Sequence, residues 1–380
     1  MARHRPPAWS VSAQGAGSLA ISGQGNAFEM RVMSCPTCRQ SSVRVLGERG
    51  GRHHRYGLGI ETRIVRCVTC GLIFPDPFPF AVDPQRLYGD PDKYFEAHDE
   101  SEKLANCRQL IRETARRLGK AAFRFVDVGS GRGELLRAAQ LEGALGLGIE
   151  SSTAMIDHAR RRHGVEIQQM TIEQLARERL GQADVVFLVA VLEHVYDPDA
   201  MVAAAAELCR PGGLLYVDVP NEPHLLSRVG NAWNRLCGSN AVYNLSPSWP
   251  PYHVFGFNRR ALSILLEKHG FAVTEVKIFA APRIPAASRL GDAIRSWVGT
   301  QINRVANLTG TASNMYVWAE RLSDKTRQPQ VIPTLAMPGP RTHDRSRVPY
   351  GGRAAATNRP RAGWRQGGSA PSISSTKGCL

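Results

Sequence analysis

Four cysteines fall in two pairs of identical spacing, Cys35-Pro36-Thr37-Cys38 and Cys67-Val68-Thr69-Cys70, separated by 28 residues. Each pair can present two thiolates to one ion, and the two together complete the tetrahedral set that Zn2+ takes in structural sites. A redox dithiol or chance spacing are the other readings, and neither requires the duplicate. His53 and His54 lie between the pairs as competing ligands, although four cysteines already fill the coordination sphere. A second chemistry-bearing run is Val126-Asp127-Val128-Gly129-Ser130-Gly131-Arg132-Gly133-Glu134-Leu135. Its alternating glycines leave main chain bare and free to adopt positive φ, so that a ligand can approach the backbone closely. Glu150 ends the next apolar run, where doubly wound folds place a carboxylate against ribose hydroxyls. The plainer readings are a tight turn and a solvated glutamate. His194 follows a later apolar run and titrates in the range useful to a general base; it reads equally as a structural imidazole bonded to nearby backbone. His253 either faces the same cleft or braces a lid.

These groups need elements to position them. From residue 123 onward, short β-rich runs at 123–128, 145–149, 165–170, 184–191, 214–219, 271–279 and 314–320 alternate with helical patterns, the mark of βαβ units and a mostly parallel sheet. A helix precedes them over 101–118, where Leu104, Cys107, Leu110, Ile111, Ala115 and Leu118 keep helical spacing on one face. The segment 221–256 breaks the alternation and holds Trp233, Tyr243, Trp249 and Tyr252. Loops of such length inside a domain are usually lids or binding segments, so Tyr243, Trp249 and Tyr252 either enclose a ligand or pack the lid itself. The expected organisation is a disordered stretch at 1–30, a zinc-ribbon-like segment at 31–82, a catalytic domain at 83–323 with its lid at 221–256, and a disordered basic tail at 324–380. Both flanks are rich in Gly, Pro, Ser and Arg without apolar periodicity and cannot offset the entropy of ordering.

The 380 residues carry a formal charge of +15, which invites a nucleic-acid or membrane reading. Its distribution argues otherwise. Residues 324–380 hold +8, 31–82 hold +5 and 1–30 hold +1, leaving the domain at 83–323 close to neutral. The longest apolar run, residues 183–192, falls short of the roughly 18 residues that span a bilayer. Residues 10–26 are interrupted by Gly, Ser and Gln and lack the compact apolar core of a secretory signal. Four of the eight cysteines are scattered, which suits a reducing compartment, and the expected location is cytoplasmic.

The glycines are spaced G-x-G-x-G after an Asp, not G-x-G-x-x-G as in dinucleotide folds. In this form residues 126–133 resemble the cofactor motif of class I S-adenosylmethionine-dependent methyltransferases. Further pieces follow in family order. Thr171-Ile172-Glu173-Gln174-Leu175 resembles the adenine-edge segment, with Thr171 where the family often carries Asp. Val191-Leu192-Glu193-His194-Val195-Tyr196-Asp197-Pro198 resembles the motif after the fourth strand, and Leu208-Cys209-Arg210-Pro211-Gly212-Gly213 with Val219-Pro220-Asn221 those around the fifth. The resemblance covers about residues 120–280. It implies a Rossmann-like α/β fold with a seven-stranded sheet closing on an antiparallel hairpin. It also implies S-adenosylmethionine as cofactor, touched by Asp127, Gly129, Ser130, Gly131, Gly133, Glu150, Ser151, Thr171, Ile172, Ala190 and Glu193, and makes His194 and His253 the candidate catalytic pair.

Glu193-His194 also resembles ubiquinone-pathway O-methyltransferases, which use the motif in binding a divalent metal. Ala190 stands where those relatives carry another acid, so a catalytic metal is not expected. The run Cys70-Gly71-Leu72-Ile73-Phe74-Pro75-Asp76-Pro77 resembles the junction in bacterial zinc-ribbon methyltransferases of secondary-metabolite and glycan pathways. The function expected from these resemblances is methylation of a hydroxyl on a small-molecule or saccharide acceptor. Two alternatives stand beside it: an RNA methyltransferase of the ribosomal type that joins a zinc ribbon to this fold, and a non-catalytic interaction protein. Those RNA enzymes usually place a His in their second zinc pair, where this chain has Cys67 and Cys70, and the intact glycine loop argues against loss of catalysis.

Overall fold

The computed structural model describes residues 18–87, 99–245, 248–280 and 290–323. Its centre is a seven-stranded sheet built from β7 (Arg124–Val128), β8 (Leu145–Glu150), β9 (Ile167–Gln169), β10 (Ala183–Val189), β11 (Cys209–Pro220), β12 (Phe271–Phe279) and β13 (Asn314–Arg321). The order across the sheet is β12-β13-β11-β10-β7-β8-β9. Strands β7 to β11 pair in parallel, and β13 runs antiparallel between β11 and β12. This is the seven-stranded α/β sheet with its closing hairpin that the motif order implies. The chain builds outward from β7 to β9, then crosses back to lay β10 and β11 on the other side. The switch therefore lies between β7 and β10, and open α/β sheets bind ligands in the crevice at such a point, outside the carboxyl ends of the strands.

Both faces of the sheet are covered, which is why its central strands read as continuous apolar runs. Val185, Val186, Phe187 and Leu188 of β10 are all fully buried. Alternate residues divide them between two cores: Val185 and Phe187 join Leu110, Phe125, Tyr216 and Trp318 on one face, while Val186 and Leu188 join Val126, Val217 and Leu262 on the other. The first face is closed by α1 (Glu100–Leu118), whose Asp99 side chain accepts from the Ser101 and Glu102 N–H groups and whose C-terminus ends on Gly119 in the left-handed region. Helices α2 (Glu134–Glu142), α3 (Thr153–His163), α4 (Ile172–Glu178) and α5 (Pro198–Leu208) make the crossovers; α6 (Leu225–Leu236), α7 (Arg259–Lys268) and α8 (Leu290–Leu308) follow.

Two three-stranded sheets precede the large one. The first pairs β1 (Ser18–Ile21), β2 (Ala27–Arg31) and β6 (Phe78–Ala81); the second pairs β3 (Val43–Arg49), β4 (Thr62–Cys67) and β5 (Ile73–Pro75). Here the structure departs from the expectation that residues 1–30 are disordered, because residues 18–30 form the first hairpin. The alternation that drives it is short. Phe28 and Met30 turn into the core while Glu29 turns out, and the Gly- and Ser-rich flanks hide this two-residue period. The expected disorder at 1–17 and at 324–380 lies outside the described residues. Phe28, Cys35, Cys70, Phe74 and Phe78 share one core with Val126, Leu188, Val217, Phe255 and Phe257. The cysteine-bearing segment is thus continuous with the larger domain. Among the described residues no helix is long and apolar enough to cross a membrane.

Candidate functional site

The glycine loop leaves β7 at the switch point. Gly129 and Ser130 both donate their N–H groups to the Ile149 carbonyl at the end of β8, at 2.9 and 3.1 Å, which fastens the loop to the neighbouring strand. Gly129, Gly131 and Gly133 have φ of 68°, 51° and 81°, a region that costs any L-residue energy. Space adds to the requirement: a Cβ on Gly129 would stand 2.9 Å from Val191 Cγ2, and one on Gly133 2.5 Å from Val165 Cγ2. The Glu150 carboxylate faces this loop. Its Oε1 accepts from the N–H groups of Ser151 at 2.7 Å and Ser152 at 3.0 Å, and its Oε2 accepts from Gly131 N–H at 3.1 Å. Asp127 lies beneath the loop, and burial pushes its carboxyl up to about 7, against the pull of Ser130 and Lys103.

On the other side of the switch, β10 is followed by Ala190 with φ of 54°, a left-handed conformation for a residue with a side chain, pinned by its N–H donating to the Asp218 carbonyl at 2.9 Å. Such strain persists where surrounding structure over-determines it. The turn that follows carries Glu193 and His194. The Glu193 carbonyl accepts from the N–H groups of Val254 and Phe255, and His194 Nδ1 lies 3.1 Å from the Tyr252 carbonyl. A carbonyl can only accept, so Nδ1 carries the proton and Nε2 keeps the lone pair. The same contacts bring His253 alongside, its ring 4.7 Å from that of His194 and edge to face. Burial pulls His194 down to about 4 and His253 well below its ordinary value, so both are neutral at pH 7. Burial pushes Glu193 up to about 8. Glu193, His194 and His253 offer ligand atoms that all lie within 4.8 Å of one another. The structure therefore gathers a second set of metal-ligand types, one for which sequence gave only the first two members.

The four paired cysteines converge. Cys35 and Cys70 sulfurs are 3.4 Å apart and Cys38 and Cys67 sulfurs 3.5 Å apart, with all four within 4.8 Å of one another. Four thiolates around a tetrahedral Zn2+ at about 2.3 Å stand roughly 3.8 Å from each other, so the donors fit that ion. His53 is turned elsewhere, with its Nε2 2.6 Å from Glu48.

A family model described as a methyltransferase domain matches residues 97–276. That span contains the glycine loop, Glu150, the strained Ala190 and both histidines. That span, just under half of the chain, is similar to methyltransferase domains. Among curated relatives, a ubiquinone biosynthesis O-methyltransferase of Marinobacter nauticus is 40% identical over 113 residues, covering 28% of this chain and 47% of that protein. One of Acinetobacter baumannii is 34% identical over 139 residues, covering 34% of this chain and 58% of that protein. The chain thus spans about half the length of the curated relatives it matches. Among solved structures, a SAM dependent methyltransferase from Archaeoglobus fulgidus aligns over 56% of this chain and 94% of its own, at 17% identity and a TM-score of 0.38.

Two of the expected cofactor contacts have other local duties. Thr171 caps α4, its Oγ1 accepting from Gln174 N–H at 3.3 Å while Gln174 Oε1 accepts from Thr171 N–H at 2.7 Å. Ile172 packs into the core beside Val186. Tyr252 braces the lid: its hydroxyl donates to Gln24 Oε1 at 2.9 Å and its ring meets Phe28 edge on, whereas Tyr243 and Trp249 are largely exposed. Sequence reading passed over Asp218, which is buried at the end of β11 with Oδ2 unpartnered among the described residues and its carboxyl pushed up by burial to about 7. It also passed over Lys103 of α1, whose charge acts on Asp127 and Asp218 and whose Nζ lies 3.8 Å from Glu134. A lone Asp inside an apolar strand is the only local signal for the first; nothing local marks the second.

Proposed function

We propose that the chain transfers a methyl group from S-adenosylmethionine to a hydroxyl of a small-molecule acceptor, and that Cys35, Cys38, Cys67 and Cys70 hold a structural Zn2+. One observation carries the reading: a carboxylate fixed by Ser151 and Ser152 and aimed at the bare backbone of Gly131, beside the switch point of the sheet. The cofactor, when bound, supplies a methyl group on sulfonium, whose departure needs no acid. Glu150 Oε2, with one bond inside the protein, keeps acceptor capacity for ribose hydroxyls. The glycines keep side chains out of the cup, and Asp127 leads into it beside Ser130.

The residues then have two tasks, to align the acceptor and to receive its proton. His194 is suited to the second, because the Tyr252 carbonyl fixes its tautomer and leaves Nε2 as the proton acceptor. His253 packs against that ring and limits its rotation. Zinc at the cysteine cluster would take no part in the reaction; it would brace β4 and β5, and through β5 the lid. Ile73 and Gly256 exchange N–H to carbonyl bonds in both directions, at 3.0 and 2.8 Å, three residues from His253. Calorimetry tests the proposal. The chain should bind S-adenosylhomocysteine, and Gly131→Arg, which fills the cup, should abolish the binding. Purified protein that binds none would reject the assignment.

A further inference from the structure

A cavity of about 440 Å³ that the glycine loop does not line carries Arg66, Arg228, Arg259 and Arg260 on its wall. The four come from three parts of the chain: Arg66 from β4 beside Cys67, Arg228 from α6, and Arg259 and Arg260 from the first turn of α7. Among the described residues none of them is ion-paired; Arg228 Nε donates to the Pro223 carbonyl at 3.2 Å. Glu222, the acid on this wall, is committed elsewhere, accepting from Asn244 Nδ2 at 2.6 Å and from Leu245 N–H at 3.2 Å.

Two features of α7 run against its own stability. Its first turn holds two arginines and no acid, the reverse of what the positive end of a helix dipole favours. Its cap, Asn258, accepts from Ala261 N–H through Oδ1 at 3.0 Å but leaves Nδ2 buried without a partner among the described residues. A helix start, an amide donor without a partner among the described residues and four guanidiniums that form no ion pair there stand on one cavity wall, and all of them are donors. Guanidinium forks match phosphoryl oxygens two at a time, and an anion at a helix N-terminus answers the dipole as well.

The cavity sits within reach of the methyl-transfer cleft. Ile278, near the end of β12, lines it, and β12 lies three steps from β10 in the order β10-β11-β13-β12. At the usual strand spacing that is about 14 Å, along the same sheet edge that carries His194. We infer that the cavity is a subsite for a phosphoryl group carried by the acceptor, so that the substrate is a phosphorylated small molecule. Only the assignment of that group to the acceptor rests on the methyl-transfer reading; the anion site rests on the arginines.

Pyrophosphate is the probe, titrated calorimetrically at physiological ionic strength into the full chain with and without S-adenosylhomocysteine. Saturable binding is expected in both states, weakened tenfold or more in Arg228→Gln combined with Arg259→Gln. Arg341→Gln combined with Arg345→Gln, in the basic tail, should leave it unchanged. Retained S-adenosylhomocysteine affinity shows that the cavity variant is folded. Absence of saturable binding, an equal loss from the tail pair, or displacement of S-adenosylhomocysteine by pyrophosphate overturns the inference. Orthophosphate binding as tightly as pyrophosphate marks a site for the free ion and overturns the assignment to an acceptor. Pyrophosphate bound through the arginines in a chain that takes no S-adenosylhomocysteine sinks the methyl-transfer reading instead, and the acceptor assignment with it.

Discussion

Glu150→Gln removes a charge while keeping size and shape, which makes it the sharpest probe of the cup. In the folded chain Oε1 is anchored by two backbone N–H groups and Oε2 by one, from Gly131. A hydrogen bond to a charged group contributes about 1.5–3 kcal/mol and a neutral one about 0.5–1.5 kcal/mol. Two ribose hydroxyls meeting a neutral amide in place of a carboxylate therefore lose about 2–3 kcal/mol together, and an energy of that size corresponds to a loss of affinity of roughly 30- to 150-fold. Calorimetric titration of S-adenosylhomocysteine into wild type and variant reads this directly, and urea denaturation of both separates a binding loss from a folding loss. The anchoring bonds also weaken in the variant, so a modest drop in midpoint should accompany the change. A variant that remains folded and binds within threefold of wild type would refute the placement of ribose at Glu150.

Gly133→Ala forces a side chain into φ of 81° and puts its Cβ 2.5 Å from Val165 Cγ2. Strain and overpacking together should cost about 2–4 kcal/mol, visible as a lower urea midpoint; an unchanged midpoint would show that the loop relaxes freely. Cys67→Ser should eliminate a metal content of one zinc per chain, measured by plasma mass spectrometry, and speed hydrogen exchange at Val254 and Gly256, whose bonds run to Glu193 and to β5. Equal zinc in both proteins would disprove the four-cysteine site. Burial raises Asp127 and Asp218 to about 7 and Glu193 to about 8. A carboxyl raised on folding contributes stability that is present below its unfolded pKa, near 4, and lost as pH climbs through the folded value. Denaturation midpoints should accordingly fall from about pH 6.5 to about pH 8, and Glu193→Gln should flatten the upper part of that fall. His194 and His253, pulled down by burial, change over below pH 6.5 and leave this window clear. A midpoint that rises across the window would contradict the burial of these acids.

The large sheet was legible because its information is local. Each strand is a short apolar run, each turn carries its own glycine or cap, and the seven runs read from sequence all appear among the strands. The glycine loop and Glu150 were legible for the same reason, being joined by one βα unit. Cysteine spacing is likewise a local signal, and the four sulfurs meet as two pairs should. The first hairpin was missed because Phe28 and Met30 give only one repeat of a two-residue period. Thr171 shows the limit of resemblance: Gln174 three residues on is a capping-box signature, and the hydroxyl is engaged there. Lys103, Asp218 and the arginine cavity depend on elements far apart in the chain, and no window of sequence brings them together. The meeting of His194 with His253 was half legible, since each histidine stood out, while the backbone bonds that dock residues 252–255 onto Glu193 did not.

The union of the cysteine segment with the large domain sets where this protein can be cut. A version beginning at residue 97, the start of the matched family, would lose Phe28, Phe74 and Phe78 from beside Phe255, Phe257 and Tyr196. It would bare a broad greasy surface and leave Gly256 without the β5 main chain it bonds to. Trimming to the homologous part would thus yield a sticky fragment with a loosened histidine pair, and only versions that retain β1 to β6 keep the inner lining whole.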